Sequence, residues 1–319
     1  MTRFVFQLFR SPTRTHTSRV AGLLGLAVLT IAGCEAAPPP ADQGPELGEA
    51  AQVGAATATP YAEFDADGAP SAIGIALSEN FFDELPREPS NLRYCWDRDE
   101  DGEVAQPDEC IPTHDWVIPL PSAAAARADM PFKWALLNWN PLGHIPPGVY
   151  DSPHFDVHFY IEPVESIMGI EPGPCGPEFV NCDQFETGRK PLPANYMDPK
   201  YVNVDAVAPA MGNHLVDVSG PEFSGEPFTR AWIYGSYDGR VTFYEEMVSL
   251  AFLVAQPSEC FPIDSPPAVA VAGYYPTSSC LRYVPETGDY TVSLEDFVLR
   301  EASPPEAVPE QAAVTTAGE

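Results

Sequence analysis

Proline occupies 37 of the 319 positions, more than twice the roughly 5% of an average soluble chain. Each ring removes a backbone donor and collides with the preceding helical turn, so a chain interrupted this often cannot sustain long helices. An all-α bundle is excluded. The chain is still long enough, and at 45% apolar residues hydrophobic enough, to bury a substantial core. Between the prolines lie short runs rich in aromatic and β-branched residues, at 132–139, 154–161, 214–218, 229–237, 240–247, 248–255, 268–275 and 290–299, which is strand composition. Asp238-Gly239 between two of these runs predicts a tight hairpin. Helices are expected only at 79–85, behind Ser78 as N-cap, and at 164–169. The expected fold class is all-β with minor short helices: a single antiparallel β-barrel or β-sandwich domain over residues 60–300, with disulfide-pinned loops.

The two ends read differently. Arg3, Arg10, Arg14 and Arg19 precede the apolar run 20–33, which has the length of a signal-peptide core and is short for a membrane span. The run closes on Ile31-Ala32-Gly33-Cys34, which resembles a bacterial lipobox. That resemblance implies a lipoprotein signal peptide over 1–33 and a lipidated Cys34. Several acyl chains, at about 0.8 kcal/mol per buried methylene, hold a domain on a membrane durably. The alternative is an ordinary secreted protein in which Cys34 is incidental. Glu35, in place of the Asp that retains enterobacterial lipoproteins at the inner membrane, favours the outer membrane. Residues 34–59 contain no aromatic side chain and read as a disordered tether, and 301–319 as a disordered tail.

Charge and cysteine usage fit an extracytoplasmic place in the cell envelope. Removal of residues 1–33 takes four Arg and no acid from a chain of 16 basic and 46 acidic residues, so 12 oppose 46 and the net charge goes from -30 to -34. Such a surface repels phosphate backbones, which argues against nucleic acid, and it avoids anionic lipid, which leaves the lipid anchor as the membrane contact. Apart from Cys34, six cysteines form three sequence-local couples, Cys95 with Cys110, Cys175 with Cys182 and Cys260 with Cys280. Local closure as disulfides is the simplest pairing. A structural zinc site competes, but no Cys-x-x-Cys pair is present and export implies an oxidising compartment.

The histidines carry the functional signal. In 154–161, Phe155, Val157, Phe159 and Ile161 alternate with His154, Asp156, His158 and Tyr160, so one strand face is core and the other collects imidazoles, a carboxylate and a phenol. Ordinary solvated faces carry Lys, Glu, Thr and Ser instead. Residues i and i+2 on a strand are about 6.6 Å apart and can share an ion, whereas i and i+4 are about 13 Å apart. His154 with Asp156, or Asp156 with His158, could therefore supply two ligands and His214 a third, for a transition metal such as zinc or iron. His-x-Asp with a distant His is the spelling of the non-haem-iron facial triad. A helical reading would unite His154 and His158 as in zinc proteases, but the aromatic content favours strand and the base Glu is missing. His144, Tyr160 and Glu245 are expected to line the same cavity or to support its ligands from behind, Glu245 because Phe243 and Met247 share its strand face. The plain alternatives are a hydrogen-bonded polar network without an ion and, for Glu245, a surface carboxylate.

The runs Trp139-Asn140-Pro-x-Gly-His144, Pro-Gly-Val-Tyr150-Asp151, Pro153-His154-Phe-Asp156-x-His158-Phe-Tyr160, Met211-Gly212-x-His214, Tyr234-Gly-Ser-Tyr-Asp238-Gly239 and Phe243-x-Glu245 resemble a family of exported bacterial β-domains of unknown function, over roughly residues 70–255. The resemblance implies that His144, His154, His158, His214 and Glu245 belong to one motif set. The chain departs at Glu246, where the family pattern predicts Pro, and in its Cys-bearing loops.

A second cation site is legible nearer the N-terminus. Asp97, Asp99 and Asp101, Gly102 at the sixth position, Glu103 beside it and Asp108 at the twelfth follow the spacing of a calcium loop, clasped by Cys95 and Cys110. Against calcium stand the missing flanking helices, the Asp at position twelve, and the plain reading of an exposed acidic loop.

Together these features predict a metal-binding envelope protein of binding or sensing type, with a small-molecule ligand or a protein as partner. The alternatives are a metal-dependent enzyme, of hydrolase or non-haem-iron oxidoreductase type, with a free His144 or His158 as proton acceptor, and an interaction scaffold without an ion. Serine and cysteine nucleophile motifs, phosphate loops and dinucleotide folds are not found in the sequence.

Overall fold

The computed structural model describes residues 44–307. The leader 1–33, Cys34 and the tail beyond 307 lie outside the described residues. Strands follow in the order β1 (Glu46–Leu47), β2 (Ala51–Val53), β3 (Ala56–Phe64), β4 (Pro70–Leu77), β5 (His114–Pro119), β6 (Trp134–Asn140), β7 (His154–Tyr160), β8 (Pro172–Cys175) and β9 (Tyr201–Ala208). The second half adds β10 (Gly212–Asp217), β11 (Arg230–Tyr237), β12 (Arg240–Ser249), β13 (Ser258–Pro262), β14 (Gly273–Tyr275), β15 (Ser278–Val284), β16 (Asp289–Glu295) and β17 (Val298–Arg300). The helices are short: α1 (Ser122–Ala125), α2 (Val164–Met168), α3 (Cys182–Gly188) and α4 (Leu250–Val254).

Two seven-stranded antiparallel sheets result, one in the order β1-β3-β4-β16-β15-β13 with β2 also on β3, the other in the order β5-β6-β7-β12-β11-β10-β9. Neither sheet closes on itself, so of the two expected architectures the barrel is replaced by two open sheets that share one core. Ile73, Ile75, Leu281 and Leu294 of the first sheet bury against the same cluster as Leu137, Phe155, Val157, Phe159 and Tyr244 of the second. Ser279 of β15 donates to Glu246 of β12 across the gap at 2.7 Å. Flat aromatic and branched faces give each sheet one apolar side, and stacking those sides removes both from water.

Sequence expectation and structure diverge in informative places. Strands begin at Glu46 rather than after 59, because Ala56, Ala58 and Ala62, small enough to lie flat, are buried against the core. Ordering extends past 301: Tyr196 donates its hydroxyl to the Ser303 carbonyl at 2.6 Å and Glu306 donates its N–H to Asn195 Oδ1 at 2.9 Å. The strand expected over 248–255 ends at Ser249, whose hydroxyl accepts from Phe252 N–H and starts α4. The Asp238-Gly239 hairpin forms between β11 and β12, with both residues at positive φ. All three local disulfides are present, at sequence separations of 15, 7 and 20.

Candidate metal centre

Alternation along β7 decides where the chemistry lies. Phe155, Val157 and Phe159 face the core between the sheets. His154, Asp156 and His158 therefore point to the outer side of the second sheet, where the connecting segments bury them completely or nearly so. Neighbouring strands set their company by register. On β6, Asn140 is opposite His154 and Asn138 opposite Asp156; on β12, Met247 is opposite Asp156 and Glu245 opposite His158.

The expected ligands do not form one set. They divide between two groups of three, His144 with His154 and Asp156, and His158 with His214 and Glu245, and in each group one donor atom per residue lies within 4.8 Å of the others. His154 and His158 thus fall in different groups, as strand spacing requires, and the third partner of His154 and Asp156 is His144 rather than His214. In the first group Asp156 Oδ2 is 3.4 Å from His144 Nε2, and Oδ1 is 3.3 Å from His154 Nε2. In the second, Glu245 Oε2 is 3.5 Å from His158 Nε2 and 3.9 Å from His214 Nε2. Tetrahedral ligands at bonds of 2.0–2.1 Å are about 3.3 Å apart; the imidazole–carboxylate distances of the first group, one to each Asp156 oxygen, are close to that value and those of the second are slightly wider.

The far ring nitrogens explain the orientation. His144 Nδ1 is 2.7 Å from the Ile145 carbonyl, His154 Nδ1 is 2.7 Å from the Ser152 carbonyl, and His214 Nδ1 is 2.9 Å from the Ala206 carbonyl. A carbonyl only accepts, so each Nδ1 donates its proton there and each Nε2 is the atom turned toward the carboxylates, the orientation that suits an imidazole to a metal. Local chain geometry delivers each ring. Gly143 takes φ +71, and a Cβ there would lie 2.1 Å from the Tyr150 carbonyl oxygen, so only glycine permits the bridge between His144 and Tyr150. A bulge between His214 and Leu215 turns β10, the usual device for re-aiming a strand side chain.

Electrostatics separates the two groups. Burial opposes protonation of His144, but contact with the Asp156 carboxylate, its charge and that of Glu178 win, and the imidazole is pushed up to about 9. Asp156, which burial alone would raise, is held well below the usual carboxylate range by His154 and His144. In the second group burial, reinforced by the neighbouring His214, lowers His158 to about 3, and burial lowers His214 to about 4. Burial and the charges of Asp156 and Glu246 drive Glu245 well above its ordinary value.

A cavity of about 520 Å³ opens onto both groups, touching His144 and Asp156 of one and His214 and Glu245 of the other. Its remaining wall is largely apolar, including Met211, Phe223, Ile233 and Met247. Three residues of the centre carry no signal strong enough to single them out in sequence. Asn140 donates to Asp156 Oδ2 at 2.7 Å and fixes that carboxylate. Tyr150 lines the cavity with a buried hydroxyl that has no partner, and Glu178 reaches it from a distant loop. The first two lie in the Trp139 to Asp151 run, and the β6–β7 pairing is the clue that would have found Asn140. Tyr160, expected to line the cavity or to support its ligands, lies outside the cavity wall: it stacks on Trp134 at 4.0 Å, lies parallel to the His158 ring at 5.8 Å and donates to the Met211 carbonyl at 3.2 Å. His114, the remaining histidine among the described residues, bonds the Glu88 carbonyl at 2.8 Å.

Phe243 edges both His158 and His214, with ring centroids 4.7 and 5.2 Å away. Its ring lies over Gly235, where an added Cβ would meet it at 2.1 Å. Gly235→Ala is therefore expected to displace Phe243, lower stability by about 1–3 kcal/mol in a urea melt, and shift the imidazole proton resonances of His158 and His214 while those of His144 and His154 hold.

The N-terminal acidic loop also gathers, in part. Asp97, Asp99 and Asp101 bring carboxylate oxygens within 4.8 Å of one another. Glu103 and Asp108 stand outside that group. The closing carboxylate is Glu109, which accepts from the N–H groups of Arg98 at 2.6 Å, Asp99 at 3.2 Å and Ala105 at 2.8 Å. The loop is thus tied by hydrogen bonds as well as by Cys95–Cys110.

No family model, curated protein or solved structure matches the chain.

Proposed function

We propose that the protein is a lipid-anchored, extracytoplasmic metalloprotein of the bacterial envelope, preferentially of the outer membrane. His144, His154 and Asp156 hold a divalent transition ion, zinc or iron, and its open coordination position takes a small molecule bound in the apolar cavity. One observation carries this reading. His154 Nε2 and Asp156 Oδ1 are buried 3.3 Å apart with no hydrogen bond made by either atom, although burying such groups unpaired costs roughly 1–3 kcal/mol each. A cation between them removes that cost. Three protein ligands beside a cavity are also the pattern of catalytic rather than structural zinc, which supports metal-dependent catalysis as the second reading. The anchor rests on the lipobox and on disulfides suited to an oxidising compartment.

The test is extraction of the full-length protein from its native host followed by elemental analysis. The expected result is recovery in the detergent-extracted membrane fraction with bound transition metal. At a metal concentration one hundred times Kd, the ion held by His144, His154 and Asp156 raises stability by about 2.7 kcal/mol, and Asp156→Ala removes that ion's share of the gain. Metal-free protein that zinc and iron fail to stabilise overturns the metal reading, and recovery of the wild type in the soluble fraction overturns the anchor.

A further inference from the structure

We propose that the cavity serves two ions rather than one, His158, His214 and Glu245 forming a second site for a divalent transition metal beside the first; the proposal rests on the reading of His144, His154 and Asp156 given above. His158 is fully buried and neither of its ring nitrogens has a hydrogen-bond partner. Glu245 is 1% exposed and its Oε2 is likewise unpartnered, 3.5 Å from His158 Nε2. Two bare polar atoms, His158 Nε2 and Glu245 Oε2, meeting in an enclosed space is an arrangement folded proteins avoid unless something fills it. His214 completes the set from another strand, its Nδ1 spent on the Ala206 carbonyl and its Nε2 turned toward Glu245.

Arginine or lysine could have neutralised the two carboxylates, as Arg230 does for Glu246. The ion-pair partners of Asp156 and Glu245 among the described residues are instead these histidines alone. Two imidazole nitrogens and one carboxylate oxygen in each group make a borderline donor set, suited to zinc, iron or cobalt and poor for calcium or magnesium. The groups share no residue and are offset along β7 by the step from Asp156 to His158, about 6.6 Å. Both reach the same cavity, so a small oxygen-donor head group on an otherwise apolar molecule could bridge the ions.

The experiment titrates cobalt into metal-stripped mature protein, reading stoichiometry by calorimetry and coordination by the visible spectrum, with folding checked by circular dichroism. Wild type is expected to bind two equivalents. Glu245→Gln and, independently, His214→Ala each retain one, Asp156→Asn retains one with a different spectrum, and Asp156→Asn with Glu245→Gln retains none. One equivalent in wild type, lost in Asp156→Asn and unaffected by Glu245→Gln, overturns the second site alone. One equivalent lost in both variants means a single shared centre and also overturns it. No bound cobalt in wild type overturns the first reading along with this one.

Discussion

Glu246→Ala is expected to lower the unfolding free energy by about 3–5 kcal/mol, the typical loss when one member of a buried ion pair is removed. Glu246 points into the core between the sheets, fully buried, and both of its oxygens are used: Arg230 Nε reaches Oε1 at 2.7 Å, Arg230 Nη2 reaches Oε2 at 2.5 Å, and Ser279 donates to Oε2 at 2.7 Å. The guanidinium also lies 4.0 Å from the centroid of the Phe261 ring. Truncation would strand an Arg230 whose side chain is only 20% exposed, and a cation without its counter-ion cannot recover its hydration there. Urea denaturation measures the loss, and a change under about 1 kcal/mol contradicts the argument. Replacing Glu246 and Arg230 together by apolar residues of similar volume should restore most of the stability, because the attraction and the desolvation cost leave together. The adjacent Glu245→Gln should leave stability nearly intact, since burial already favours its neutral form and an amide resembles a protonated carboxyl in size and polarity.

Zinc affinity is expected to fall about tenfold for each unit of pH below the His144 value, about 100-fold between pH 8 and pH 6. The sign follows from the ion-free protein. His144, raised to about 9, is an imidazolium at neutral pH, and the metal needs the Nε2 that the proton occupies. Protons therefore compete with the ion up to that value, above which the dependence flattens. Asp156 stays ionised throughout the range because its own value is lowered. In the second group His158 and His214, lowered to about 3 and about 4, have no proton to lose, while Glu245, raised by burial and neighbouring acids, must give one up. Each ion thus releases about one proton. Calorimetry in buffers of different ionisation enthalpy counts it, and uptake that is pH-independent between pH 6 and pH 8 contradicts the assignment.

The two carboxylates at 245 and 246 show how far local reasoning reaches. They are neighbours in sequence with similar local propensities, yet one faces the histidine cluster and its cavity and the other anchors the sheets together. Strand alternation guarantees that they face opposite ways. The sequence expectation of Glu245 in the cavity is fixed by its pairing with His158, since a slip of one residue would exchange the two. The acidic loop gives the converse lesson. Its three aspartates come together as their spacing predicts, but the residue that closes the loop is Glu109, one position beyond the expected Asp108, its buried carboxylate accepting from three backbone N–H groups.

Period-two patterning, proline density, turn chemistry and cysteine spacing act over a few residues, and they were sufficient to specify an antiparallel all-β chain, its hairpin at Asp238-Gly239, its three local disulfides and a polar face at His154, Asp156 and His158. The choice of open stacked sheets over a barrel, the arrival of His144 from a loop and His214 from a bulged strand, and the division of the ligands into two groups depended on contacts between residues far apart in the chain. Register and packing are set by which faces bury the most apolar surface together, a property of the assembled sheets that no single segment contains.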